Sequence, residues 1–246
     1  MNLNPTTVKV QQLKKKFGSF TAVDNISFEV KQGEIFGFLG ANGAGKTTTI
    51  RMLCGLLLPT SGEAWVNGFS IDKNSEEIKK NIGYMSQKFS LYNDLTVEEN
   101  ITFYGGIYGL NSNKLIQRKE WILKKLSLVD QRKTITRKIP LGWKQRLALG
   151  CAIVHNPPIL FLDEPTSGVD PISRREFWEL VNELAEQGTT AFVTTHYMDE
   201  AEYCNRLSIM HRGKIITINS PQMLKKEYHQ SSIEDVFISL IRDNFG

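Results

Sequence analysis

Gly40-Ala-Asn-Gly-Ala-Gly-Lys-Thr-Thr48 decides how this chain is read. It has the form G-x-x-x-x-G-K-[ST], a phosphate-binding loop. Upstream lies the apolar run Ile35-Phe-Gly-Phe-Leu39, of strand type. Downstream, Thr47 to Leu58 places Ile50, Leu53, Cys54 and Leu57 at helical spacing. Strand, glycine turn and helix are the setting the motif requires. Its glycines let the backbone curl and turn N–H groups inward, and the positive end of the following helix points at the same spot. Lys46 can reach β- and γ-phosphates, and the Thr47 hydroxyl can ligate Mg²⁺.

A second stretch answers the first. Ile159-Leu-Phe-Leu162 is an unbroken apolar run ending in Asp163-Glu164, as expected of a buried parallel strand. Asp163 at that strand end is suited to hold Mg²⁺ facing the phosphate loop. The adjacent Glu164 can orient and deprotonate an attacking water.

The remainder supplies an α/β frame. Val8 to Phe20 and Asn25 to Val30 read as strands, and Glu63–Val66 and Phe69–Asp72 as a hairpin about Asn67-Gly68. These suggest a first sheet with antiparallel strands beside parallel ones. Ile82 to Gln87 is a short strand. From Thr96 to about His155 the pattern is helical, with Thr96-Val-Glu-Glu99 as a start signal, amphipathic runs at Leu115–Leu128 and Trp143–Val154, and an exit at Pro157-Pro158. Ile172–Glu186 reads as a helix with Gly188 at its C-terminal cap. Thr190–Thr195 and Arg206–Met210 read as strands, and Met223–Tyr228 and Ile233–Ile241 as short helices. No internal repeat or low-complexity segment interrupts the chain.

With 246 residues, 41% apolar and 10% aromatic, the chain has the material for a packed core. A net charge of +4 is too mild to indicate nucleic-acid binding. Cys54, Cys151 and Cys204 are odd in number and widely spaced, which argues for reduced thiols in a cytoplasmic compartment. Met1-Asn-Leu-Asn-Pro5 is polar, without the core of a signal peptide, and no apolar run approaches a membrane span.

Taken in order, these residues resemble the nucleotide-binding subunits of ATP-binding cassette (ABC) transporters over nearly the whole chain. Phe17 matches the aromatic that stacks on adenine, Gly40 to Thr48 the Walker A loop and Ile159 to Glu164 Walker B. Gln87, in Tyr-Met-Ser-Gln, matches the Q-loop glutamine; Ser167-Gly-Val-Asp170 matches the D-loop; His196, in Thr-Thr-His-Tyr-Met-Asp-Glu-Ala, matches the switch histidine. The resemblance implies a P-loop ABC ATPase fold with mixed antiparallel and parallel sheets and an inserted helical subdomain. It divides one domain, 1–246, into a core of about 1–88 and 159–220, a helical subdomain of about 89–158 and a C-terminal segment of about 221–246. It implies ATP bound by Phe17, Gly40, Asn42, Gly43, Ala44, Gly45, Lys46, Thr47 and Thr48. Mg²⁺ falls to Thr47, Gln87 and Asp163, and catalysis to Glu164, His196 and Gln87. Leu141, Gly142 and Asp170 would act across a homodimer or heterodimer, Asp170 having an N-terminal cap before Pro171 as its other reading. The partners implied are separately encoded membrane permease subunits, with the chain peripheral on the inner face of the cell membrane. Phe89, Leu91 and Tyr92 would dock there, or else pack on the helical insert. His155, His211 and His229 have no such context and read as structural.

One element departs from the family. Its signature is usually Leu-Ser-Gly-Gly, one residue, then Lys/Gln-Gln-Arg; here the run is Ile139-Pro-Leu-Gly-Trp-Lys-Gln-Arg146. Pro140 brings neither hydroxyl nor N–H, and Leu141 adds bulk where glycine allows close approach. A weaker grip on the partner's ATP follows. A similar Pro-Leu-Gly-Trp run, and the ending Ser232-Ile-Glu-Asp-Val-Phe237, resemble exporter ATPases that serve ABC-2 type permeases. Two alternatives stay open: a nucleotide-gated regulatory module with little hydrolysis, and a soluble ABC ATPase outside transport.

Overall fold

The computed structural model describes residues 5–245. The polar opening and the outer limits of the domain, at positions 1–4 and 246, lie outside the described residues. Strands β1 (Thr6–Phe17) and β2 (Phe20–Lys31) form a long antiparallel pair closed at Phe17–Phe20. Then come β3 (Ile35–Leu39), α1 (Lys46–Leu53), β4 (Ser61–Val66), β5 (Phe69–Ser70), α2 (Ser75–Asn81) and β6 (Ile82–Met85). A helical stretch holds α3 (Val97–Ile107), α4 (Ser112–Lys125) and α5 (Leu141–Ile153). The chain finishes with β7 (Ile159–Asp163), α6 (Pro171–Glu186), β8 (Thr190–Thr195), β9 (Arg206–His211), β10 (Lys214–Asn219), α7 (Pro221–Glu227) and α8 (Ile233–Phe245).

The strands divide between two sheets. One is wholly antiparallel, in the order β2-β1-β4-β5; the other runs β10-β9-β3-β8-β7-β6, parallel except at the β10 edge. The expectation of antiparallel strands beside parallel ones in the first sheet is corrected here. β1 and β4 pair with each other and not with β3. Their alternating burial lets one face stay wet, whereas β3, β7 and β8 are buried at every residue and need cover on both faces.

That double cover is visible in the core. Phe36, Phe38, Phe161 and Phe192 point to one face, where they meet Phe28 of β2 and Ile50, Met52 and Leu53 of α1. Phe28 lies 5.5 Å from both Phe36 and Phe38, so the aromatic cluster joins the two sheets. Burial of each such ring contributes about 1.5–3 kcal/mol. Leu160, Leu162, Ala191 and Val193 point to the opposite face, against α5 and α6.

Several local signals act as read. Asn67 and Gly68 both take positive φ, 51° and 80°, as a type I′ hairpin turn requires. Thr96 and Glu99 form a reciprocal capping box at the start of α3. Other boundaries move: α1 stops at Leu53, ahead of the expected Leu58, because the chain turns at Gly55 with φ +66°. α4 begins three residues before Leu115, at Ser112, with Asn111 accepting from the Lys114 N–H. Strand β10 and helix α2 had no forecast. Phe89 and Leu91 pack half-buried against the helical cluster, as their second reading had it, and Tyr92, though exposed, sets its ring 4.4 Å from Phe103 of α3. The three cysteines are buried and unbridged. No helix among the described residues is long and apolar enough to cross a membrane.

Candidate active site

Sheet order assembles the site. Strands β3, β8, β7 and β6 are consecutive neighbours and parallel. Their C-terminal ends carry, side by side, the Gly40–Thr48 loop, His196, Asp163-Glu164 and Gln87. Ligands in open α/β sheets gather beyond this edge.

The loop is shaped by close approach. A Cβ on Gly45, where φ is +110°, would stand 2.5 Å from the Ala22 carbonyl oxygen. Lys46 opens α1 and is buried. Its ammonium donates to the carbonyls of Gly40 (2.7 Å) and Ala41 (3.2 Å) and pairs with Glu164 Oε1 at 3.1 Å.

Glu164 is the hub. Its Oε2 accepts from Gln87 Nε2 at 2.9 Å and lies 3.2 Å from His196 Nδ1, off line for a hydrogen bond. Its backbone is left-handed, φ 47°, and its N–H donates to the Thr194 hydroxyl at 2.9 Å. That hydroxyl donates in turn to Asp163 Oδ1 at 2.7 Å, and the Thr47 hydroxyl donates to the same oxygen at 3.1 Å. Burial pushes the Asp163 carboxyl above its ordinary range, and the two hydroxyls pull it back.

A cleft of about 330 Å³ is lined by Phe17, Phe20, Ala22, Asn42, Gly43, Gly45, Lys46, Thr47, Thr48, Gln87 and Glu164. Asp163 stands behind Thr47. Gly40 serves through its carbonyl. Ala44 is buried behind the loop, its carbonyl accepting from the Gly213 N–H, and is not part of the lining.

Leu141, Gly142 and Asp170 are elsewhere. With Pro140, Trp143, Arg146, Gly168 and Ser173 they line a second cleft of about 440 Å³ at the start of α5. Asp170 caps α6, its carboxylate accepting from the N–H groups of Ile172 and Ser173, and those bonds hold the carboxyl low. Its capping reading is therefore realised. His155 stacks on Tyr108 at 3.5 Å, and burial pushes it down to about 4, in line with its structural reading.

Sequence reasoning missed Phe20 and Thr194. Phe20 faces Phe17 across the β1–β2 turn and joins it on the cleft wall; the alternation of β2 was the available signal. Thr194 enters the sequence reading only as context for His196.

The ABC transporter family model matches residues 23–167. A probable multidrug ABC transporter ATP-binding protein of Escherichia coli, YbhF, is 49% identical over 243 residues, 97% of this chain and 42% of that protein. This chain thus spans less than half the length of that relative. The linearmycin resistance ATP-binding protein LnrL of Bacillus subtilis is 38% identical over 239 residues, 97% of this chain and 77% of that protein. A solved structure described as the ATP binding subunit of an ABC transporter superposes with a TM-score of 0.86 at 27% identity, covering 96% of this chain and 99% of that one. From the phosphate loop through the acidic strand end, motif, topology and kinship agree: the chain belongs to the ABC transporter family and carries its ATP-binding fold.

Proposed function

We propose that this chain binds and hydrolyses ATP to drive a separately encoded membrane permease, in the direction of export. The observation that carries this reading is the convergence of Lys46, Gln87 and His196 on the Glu164 carboxylate at the edge of one cleft. Phe17 and Phe20 offer π faces to the base. Asn42 and the loop amides, with Lys46, cradle the phosphates. Binding of the γ-phosphate draws Lys46 from Glu164 and leaves that carboxylate to accept a proton from water attacking in line. His196 and Gln87 then bear on the developing charge and on the water.

The residues fit Mg²⁺. Asp163 is 1% exposed, its charge is opposed by burial, and the Thr47 hydroxyl already bonds its carboxylate. Thr47 and Asp163, with Gln87 nearby, would hold the ion, which would supply charge neutralisation for the phosphates. Two chains would enclose ATP between the cleft of one and the Leu141–Gly142 end of α5 of the other. Within the single domain, residues of about 89–158 form a helical subdomain on a core of about 1–88 and 159–220, followed by a C-terminal segment from about 221. The chain would lie on the cytoplasmic face of the membrane through its permease.

The test is ATP turnover by the purified chain and by Glu164→Gln, alone and with the permease captured from detergent extracts. Turnover in the wild type and not in the variant, together with a co-purifying membrane protein, is expected. A second reading, a nucleotide-gated regulatory module, is favoured by Pro140, which caps α5 without a side-chain bond. Wild-type turnover no higher than that of Glu164→Gln, even with the permease present, would establish it.

A further inference from the structure

Glu200 is a carboxylate with no exposed surface, in the short 3₁₀ turn Asp199–Tyr203. It lines neither cleft. Its two oxygens divide their bonds: Oε1 accepts from the Thr166 hydroxyl and Oε2 from the Thr195 hydroxyl, each at 2.5 Å. Thr166 lies two residues after Glu164, and Thr195 directly precedes His196. One buried side chain thus ties the segment bearing Glu164 to the segment bearing His196. The Thr195 hydroxyl also accepts from the Tyr197 N–H at 3.0 Å, closing a turn around the histidine.

A third element meets the same group. Arg174 Nε stands 3.7 Å from Glu200 Oε1, and its guanidinium lies 4.0 Å over the Tyr197 ring. Arg174 is one turn into α6, its N–H donating to the Asp170 carbonyl at 2.9 Å. The arrangement therefore reaches from the Asp170 cap, beside the second cleft, to both residues at the first.

An apolar side chain would fill this space without the cost of burying a carboxylate, which is large unless hydrogen bonds and a counter-charge offset it. The bonds present are aimed at the two loops that flank the reacting atoms. The geometry points to Glu200 as a positioning residue: it holds Thr166 and Thr195 so that Glu164 and His196 keep their facing, and through Arg174 it couples both to the Asp170 end of α6. This rests on the ATPase reading above for its catalytic consequence, though not for the tie itself.

Two measurements on the full chain decide it. Hydrogen exchange is followed for Thr195→Val, Thr195→Ser and Glu200→Gln; the valine removes one hydroxyl while keeping the volume. Faster exchange confined to residues 164–169 and 195–199 is expected for Thr195→Val and Glu200→Gln, with the serine variant restoring wild-type rates. In steady-state turnover, Thr195→Val should lower kcat by about tenfold or more while the KM for ATP stays within about twofold, and serine should rescue kcat. Unchanged exchange in the two segments overturns the proposal whatever the turnover. Faster exchange with unchanged kcat overturns it too, leaving a plain structural tie. A wild type that never turns over refutes the ATPase reading instead. Glu200→Gln slowing exchange, or Thr195→Val failing to affect the 164–169 segment, would overturn the tie.

Discussion

The two clefts differ in how they are held. The first is ringed by groups already bonded to one another: Lys46, Gln87, Thr47 and Thr194 all engage Glu164 or Asp163. The second begins at a helix end whose first N–H groups have no acceptor within the helix and whose cap, Pro140, contributes no side-chain bond. Leu141 there is 43% exposed, and the neighbouring Ile172 at the start of α6 is 74% exposed. Preorganised polar groups make one side suited to chemistry. The other side has its own ion pair, Arg146 with Glu176, beside an open helix start, and suits a partner whose arrangement completes it.

The largest effect should come from breaking the first side. Glu164→Gln is expected to lower ATP turnover by about 10²–10⁴-fold while ATP binding, measured by equilibrium titration, persists. Loss of binding in place of turnover would assign Glu164 a structural role through its Lys46 pair. Next, Phe17→Ala removes a stacking face and should weaken ATP binding by about 5- to 150-fold. Because Phe20 shares the wall, the double variant should lose more than either single one, and titration with ATP against ribose triphosphate lacking a base would show it.

Sharpening the second side should have a smaller effect of opposite sign. Pro140→Ser with Leu141→Gly restores donors and close approach, and should raise turnover and ATP-driven dimerisation by about two- to tenfold. No rise in either means that the start of α5 does not limit the reaction. The smallest effect concerns stability. Burial raises the folded-state pKa of Asp163 above its ordinary value of 3.8. The stability belonging to the protonated form is therefore complete below that value and is lost as pH rises through the folded pKa. Asp163→Asn should then raise the nucleotide-free Tm at neutral pH, with the gain shrinking as pH falls through the folded pKa, and should abolish the Mg²⁺ dependence of ATP binding.

Much of this was legible in the sequence because the relevant rules are local. A phosphate loop announces itself within nine residues, Asn67-Gly68 fixes its turn through backbone sterics, and Thr96 with Glu99 fixes a helix start. What stayed hidden depends on contacts between distant segments. No spacing rule shows that β1 and β4 leave the parallel sheet, which depends on Phe28 of β2 meeting Phe36 and Phe38. Phe89 and Leu91 look like a sticky surface until the helical cluster is placed against them. Thr194 and Glu200 are ordinary residue types, and their meaning lies in which hydroxyl or carboxylate the fold brings within reach.

The order of strands β3, β8, β7 and β6 also sets a ruler. Neighbouring strands in any sheet lie about 4.8 Å apart, so four adjacent strand ends form a comb about 14 Å wide. The spacing of its teeth belongs to peptide geometry and not to the side chains mounted on them. Remodelling the loops can therefore change what is presented on each tooth, whereas altering the pitch would require inserting or removing a whole strand.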